Sequence, residues 1–415
     1  MQARLLLLLF FGTTALGAEY LPCTVAAAPS PLCCANFDEG VGQDCDPRKP
    51  PREISDHHAA PTTVFATSSK RRKSKPDSEA NMARSLFSVG QSLRGRLGRY
   101  VITEKIQDTV WFAEYVIIPR RPVSFASLIM LRNQSSRTVV VKAVLRHPRV
   151  RNERDMLRLY QDRSPHIRPL VDEIQPPHDY PTIVLRHLDD HLLNASIKKT
   201  LTARELRHVA RGVLEGLAVL HADGVVHTGE SDIKPDNILV NKRNEDARFS
   251  EVQLGDLGGA CAETSEWAKK GIPVGAPMWS SPEVIMETPW STATDIWSFG
   301  AMIISLVLGG NICLFRPPAV PYGHEEYSLE VLKQQFRYFG PFPPKYEEIA
   351  SPETITAILW LMDEIPCAKT TPFANVAERQ ISRKDKEFVG KIMKLDWRER
   401  QTAKELLKDP WFTED

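Results

Sequence analysis

The 415-residue chain carries 53 basic and 52 acidic side chains, and its net charge of +1 is too small to hold a nucleic acid electrostatically, so no nucleic-acid partner is expected. With 42% hydrophobic and 25% charged residues it can bury a sizeable core, which excludes a wholly disordered or fibrous chain and suits a two-lobed domain with appendages.

Arg4, the apolar run Leu5 to Phe11 and the small residues from Gly12 to Ala18 predict a signal-like peptide over 1–18, too short to span a membrane. Residues 19–46 hold Cys23, Cys33, Cys34 and Cys45, and the adjacent pair Cys33-Cys34 does not suit zinc. A disulfide framework is compatible with a secreted context, and its connectivity is not deducible. This single–pair–single spacing resembles the first half of a fungal class II hydrophobin, a family that uses eight cysteines. Residues 47–88 are rich in Pro, Ser, Thr, Lys and Arg and predict a disordered basic linker, whose run Lys70 to Lys75 resembles a nuclear-import patch.

Strands alternate through roughly Val101 to Val184 and helices dominate afterwards, so the expected fold is α+β, a small β-rich lobe on a larger helical one. Thr138 to Val144 is a β-branched run carrying Lys142. Met156, Leu157 and Tyr160 lie at helical spacing from Glu153. Leu206, Val209, Val213, Leu217 and Leu220 mark a long amphipathic helix from Thr202 to His221, and Ala403 to Phe412 predicts a last helix stopped before Pro410. Cys261, Cys313 and Cys367 are expected to be ordinary buried cysteines.

Asp232-Ile-Lys-Pro-Asp-Asn237, followed by Asp256-Leu-Gly258 after a strand-like run, resembles the catalytic and metal-binding loops of eukaryotic protein kinases. The resemblance covers about 98–412 and implies a two-lobed kinase fold, with ATP and Mg²⁺ as cofactors and a protein presenting Ser or Thr hydroxyls as partner. Asp232 would receive the substrate hydroxyl proton. Lys234, whose position marks the serine/threonine form of the loop, would sit against the transferred phosphate. Asn237 and Asp256 would hold the metal, and Lys142, paired with Glu153, would contact phosphates. Leu188 would offer backbone bonds to adenine with Leu185 at the pocket entrance, and Val110 and Ala113 match the apolar positions after the phosphate loop. Glu283, in a segment like the one closing the activation loop, would pair with Arg400, and Asp295 would anchor the catalytic-loop backbone. Gln335 to Pro343 resembles the large-lobe insert of the CMGC branch.

The chain departs from this pattern at several places. Tyr100 to Ala113 contains no glycine, with Gln107 where the first belongs, so backbone amides approach phosphates less freely. Thr228 replaces an Arg that partners activation-loop phosphates, Gly229-Glu230-Ser231 is inserted before Asp232, Leu257 replaces Phe, and Ala276 stands where a Thr is usual. Three classes of function follow: a serine/threonine kinase, a pseudokinase scaffold or allosteric regulator, and a secreted surface-active protein governed by the N-terminal cysteines. The kinase pattern points inside the cell and the signal-like segment to the secretory pathway. Oligomeric state is not legible in the sequence.

Overall fold

The computed structural model describes residues 85–116, 137–176, 180–227, 233–242, 248–309 and 312–413, and the backbone of a short hairpin, β1 (Asn36–Asp38) with β2 (Val41–Gln43). The signal-like peptide, the four N-terminal cysteines, residues 47–84 and Thr228 to Asp232, including the candidate base Asp232, lie outside the described residues.

The small lobe is one six-stranded antiparallel sheet of β3 (Ser92–Arg94), β4 (Arg99–Gln107), β5 (Val110–Val116), β6 (Arg137–Ala143), β7 (Leu170–Glu173) and β8 (Thr182–Arg186), in the order β3-β4-β5-β6-β8-β7. Along β5 the side chains alternate, as the two-residue period of a strand requires. Trp111 and Ala113 join Leu93, Tyr100 and Val141 in the small-lobe core, while Val110 and Phe112 pack toward the large lobe. Phe87 is 2% exposed in the same core, so the fold begins ahead of the predicted boundary at residue 98, and 85–88 belong to it rather than to the linker. Asp172 draws in the turn between β3 and β4: its carboxylate accepts from the Arg96 and Leu97 amides at 3.1 and 2.8 Å and from the Tyr100 hydroxyl at 2.8 Å.

The helix Arg149–Tyr160 follows β6 and buries Val150, Glu153, Leu157 and Tyr160, one side of the helix spaced at three and four residues. In the large lobe, Ala203–His221 begins at Thr202, whose side chain and that of Glu205 form a reciprocal cap. Ala293–Leu308 is buried on nearly all sides and runs through the lobe's centre. Where Gln335 to Pro343 was compared with an insert, Tyr327–Phe339 and Pro352–Glu364 are packed helices, and Gln335 is fully buried, donating to Ser280 O at 2.8 Å. The chain ends with the helix Ala403–Leu406 and a 3₁₀ turn at Pro410–Phe412. Cys261 and Cys313 are half-buried and Cys367 is exposed, which corrects the expectation of three buried cysteines; Cys367 lies in a short 3₁₀ turn. Among the described residues no helix is long and apolar enough to cross a membrane.

Asp190, just after β8, meets Lys242 at 3.0 Å, Lys198 at 3.3 Å and the Asn194 side-chain Nδ2 at 2.7 Å. Burial pushes its carboxyl up, but these donors outweigh burial and hold it at about 2, below the ordinary 3.8. The depressed value means that its stabilisation is complete above the ordinary carboxylate range and is lost as pH falls toward 2. Asp190→Asn is expected to cost about 2 kcal/mol at neutral pH. Urea unfolding at pH 7 and pH 3 checks this, and an equal difference at both values contradicts it.

Candidate active site

Lys142 lies on β6 opposite Val110, with Phe112 opposite Val140, so these four side chains share the face of the sheet that looks toward the large lobe. The Lys142 ammonium is held between two carboxylates, Glu153 Oε2 and Asp256 Oδ1, each at 2.7 Å. Burial alone would lower its pKa, but Asp256 and then Glu153 raise it above the ordinary lysine value, so Lys142 is charged at neutral pH. Its two partners come from separate elements. Glu153 is buried on the helix Arg149–Tyr160, and Asp256 follows the strand Phe249–Leu254 in a left-handed backbone conformation with φ 58° and ψ 60°. That region is sparsely populated by residues other than glycine, and Asp is among the better tolerated.

Asp256 also forms an ion pair through Oδ2 with Arg149, and Asn152 donates to Gly258 O and Ala260 O at 2.9 Å each. The helix and the loop are thus joined by three side chains. Nearby, Arg168 Nε donates to Arg186 O at 2.8 Å, and burial pulls its guanidinium down to about 10 against the opposing pull of Glu153 and Asp256.

Asn237 closes a 3₁₀ turn at Pro235–Asn237, and its carbonyl accepts from the Gly255 amide at 2.9 Å, bringing this loop beside Asp256. Lys234, just before the turn, lies 3.4 Å from Asp236. His227 ties the same region to the lobe's central helix: its amide donates to Asp295 Oδ2 at 2.8 Å, and its ring lies 3.0 Å from Gly255 O. Asp295, fully buried, also meets His221 Nε2 at 2.9 Å. Glu283 and Arg400 form a bidentate pair at 2.6 and 2.7 Å, with both side chains fully buried. Arg400 further donates to Lys394 O and Ala293 O and lies over the Trp297 ring, so its donors are well occupied. Leu188 is buried beyond the end of β8, and Leu185 on β8 pairs with Val140.

Ala113 does not join this group. It is fully buried in the small-lobe core on the face opposite Lys142, because it is three residues from Val110 and odd spacing along a strand reverses the face. Phe112 takes the cleft-facing place instead, its ring 5.2 Å from that of His187. The even spacing from Val110 could have revealed it. Arg149 was legible too, four residues before Glu153 on one helix face. No sequence signal pointed to Arg168. The turn between β4 and β5 is only Asp108-Thr109, with Gln107 still paired to Val110, so no extended loop arches over the cleft there.

A family profile described as "Protein kinase domain" matches residues 125–412. Serine/threonine-protein kinase PAK 4 of Mus musculus is 30% identical over 232 residues, covering 56% of this chain and 30% of that protein. Calcium/calmodulin-dependent protein kinase type 1 of Macrobrachium nipponense is 26% identical over 216 residues, covering 52% of this chain and 48% of that protein. The chain therefore spans less than half the length of these curated relatives. Among solved structures, the crystal structure of the yeast RNA Pol II CTD kinase CTDK-1 complex aligns with a TM-score of 0.60 at 17% identity, covering 76% of this chain and 93% of that one. With the profile spanning most of the chain and a two-lobed α+β architecture common to both structures, the chain belongs to the protein kinase domain family.

Proposed function

We propose that the chain is a serine/threonine protein kinase that transfers the γ-phosphoryl group of ATP to protein Ser and Thr hydroxyls. The observation that carries this reading is the Lys142 ammonium shared between Glu153 and Asp256 at 2.7 Å, a charged and positioned phosphate contact. Phosphoryl transfer passes through a loose transition state whose charge sits on phosphate oxygens, so positioning and neutralisation supply most of the catalysis.

The hydroxyl oxygen of the substrate bonds to the γ-phosphorus as the bond to the β–γ bridging oxygen breaks; ADP departs with that electron pair, and the hydroxyl proton passes to Asp232. Lys234 neutralises the transferred group. Asp256 and Asn237 offer a carboxylate and a carboxamide on adjoining loops, a hard-oxygen donor set that fits Mg²⁺. When bound there, Mg²⁺ supplies neutralisation of the phosphate charge. Asp295, through the His227 amide, orients the catalytic loop, and the Glu283–Arg400 pair sets the segment that closes the activation loop. Val110 and Phe112, on the face of the sheet toward the large lobe, would cover the adenine, and Leu188 would offer it backbone bonds.

The cellular site follows from the substrate: a kinase needs MgATP, so we place its action inside the cell and treat 1–18, 19–46 and 47–84 as a leader, a cysteine-rich segment and a linker joined to it. Transcript reads running unbroken from Cys45 to Arg99 would support a genuine fusion. A CMGC-like place within the family is carried by Gln335 to Pro343 alone.

Phosphotransfer by the full-length chain from labelled ATP to Ser, Thr and Tyr peptides tests the function. Incorporation into Ser and Thr only, lost in Asp232→Asn, is expected. MgATP is also expected to raise the melting temperature, because a ligand that binds the native state stabilises it. Metal-dependent stabilisation without phosphotransfer would replace this reading with the scaffold.

A further inference from the structure

We propose that Arg149 is a resident counter-cation of Asp256 which a nucleotide-bound divalent metal displaces, so that metal loading is sensed at the first turn of the helix Arg149–Tyr160. The inference rests on the MgATP reading above and concerns how that site is regulated.

Asp256 holds a protein cation on each carboxylate oxygen, Lys142 on Oδ1 at 2.7 Å and Arg149 on Oδ2. The two cations are not equivalent. Lys142 is shared with Glu153, whose side chain is 1% exposed, so its departure would strand a buried carboxylate. Arg149 is therefore the exchangeable partner. A dication arriving at Asp256 would set four positive charges around one carboxylate, and like charges at contact range in a partly buried site repel strongly.

The phosphates that arrive with the metal offer Arg149 a new partner, since its planar fork matches phosphate oxygens. The arginine stem is seated on the loop itself. A Cβ built on Gly258 would meet Arg149 Cγ at 2.4 Å, so only glycine lets the arginine stem lie across the backbone here. Asn152 remains bonded to Gly258 O and Ala260 O at 2.9 Å, which keeps helix and loop together while Arg149 exchanges. The exchange links cation occupancy at Asp256 to the end of the helix that carries Glu153.

The test uses the full-length chain and two variants, Arg149→Met, which keeps an unbranched stem against Gly258, and Arg149→Lys, which keeps the charge. Mn²⁺ alone is titrated and its free concentration followed by electron paramagnetic resonance. Arg149→Met is expected to bind Mn²⁺ on the order of tenfold more tightly than wild type, and Arg149→Lys close to wild type, because only the first removes a competing charge. Asp256→Asn in either background is expected to abolish the difference. With chelator present, a non-hydrolysable ATP analogue is expected to bind Arg149→Met more weakly than wild type. Equal or weaker Mn²⁺ binding by Arg149→Met, or none by either protein, overturns the proposal. Circular dichroism establishes folding; should Arg149→Met not fold, Arg149→Gln, which likewise removes the charge, is compared with wild type, and equal affinities overturn the proposal. Tighter Mn²⁺ binding without any binding of the analogue would uphold the exchange while removing the MgATP reading.

Discussion

Lys142→Met is expected to lower the rate of phosphotransfer roughly 10²- to 10³-fold, the scale seen when one preorganised charge facing a developing anion is removed. The same change strands Glu153, whose side chain is 1% exposed, and leaves Asp256 with one cation fewer. A loss of stability is therefore expected beside the loss of rate. Lys142→Arg is expected to recover little, because a planar guanidinium cannot take the place of a compact ammonium held at 2.7 Å from two carboxylates at once. Steady-state phosphotransfer and thermal melts on the same preparations separate the two effects. Retention of more than a tenth of the wild-type rate by the folded Met variant would show that Lys142 does not contact the transferred charge.

Arg400→Met is expected to give the largest loss of stability, about 3–5 kcal/mol, because it leaves Glu283 as a buried carboxylate without its bidentate partner. Native domains hold roughly 5–15 kcal/mol in total, so the loss is a large fraction of the whole and is expected to lower the melting temperature by several degrees. The pair sits in a structured setting. Ser281 bonds to Thr294 at 2.8 Å, Ser298 donates to Trp279 O at 2.9 Å, and Gln335 reaches Ser280 O at 2.8 Å, so the segment around Glu283 is tied to two helices. Glu283→Gln combined with Arg400→Met removes the stranded charge and is expected to recover a large part of the loss. Urea unfolding of the single and double variants measures the coupling. A double variant no more stable than Arg400→Met would assign the loss to the packing of Arg400 over Trp297.

Much of the site was legible because its residues lie in short, ordered motifs whose local chemistry does not depend on distant packing. Lys142 on a β-branched run, Glu153 on a helix with one apolar side, and Asp256 after a strand lie on elements readable from period and neighbours, the kinase resemblance singled them out, and the fold brings all three together. The long helix ending at His221 was marked by its apolar spacing, and the structure adds the reciprocal cap of Thr202 and Glu205. Alternation along β5 was equally written in the residues: Val110 and Phe112 share a face, and assigning Ala113 to the cleft overlooked that odd spacing turns a side chain to the other side.

Other features are decided only in three dimensions. That Phe87 enters the small-lobe core, ahead of any strand signal, depends on space beside Trp111, where the two rings stand 5.0 Å apart. That Arg168 points to the Arg186 carbonyl, and that Arg149 shares Asp256 with Lys142, depends on how the sheet, one helix and one loop converge. A charged side chain in a sequence states its charge but not its partner. The sequence by itself determined the secondary structure and the chemical types at the site, since both follow from local period and composition. The tertiary structure alone decided which charges meet, because those distances are set by packing between segments more than a hundred residues apart, as with Lys142 and Asp256.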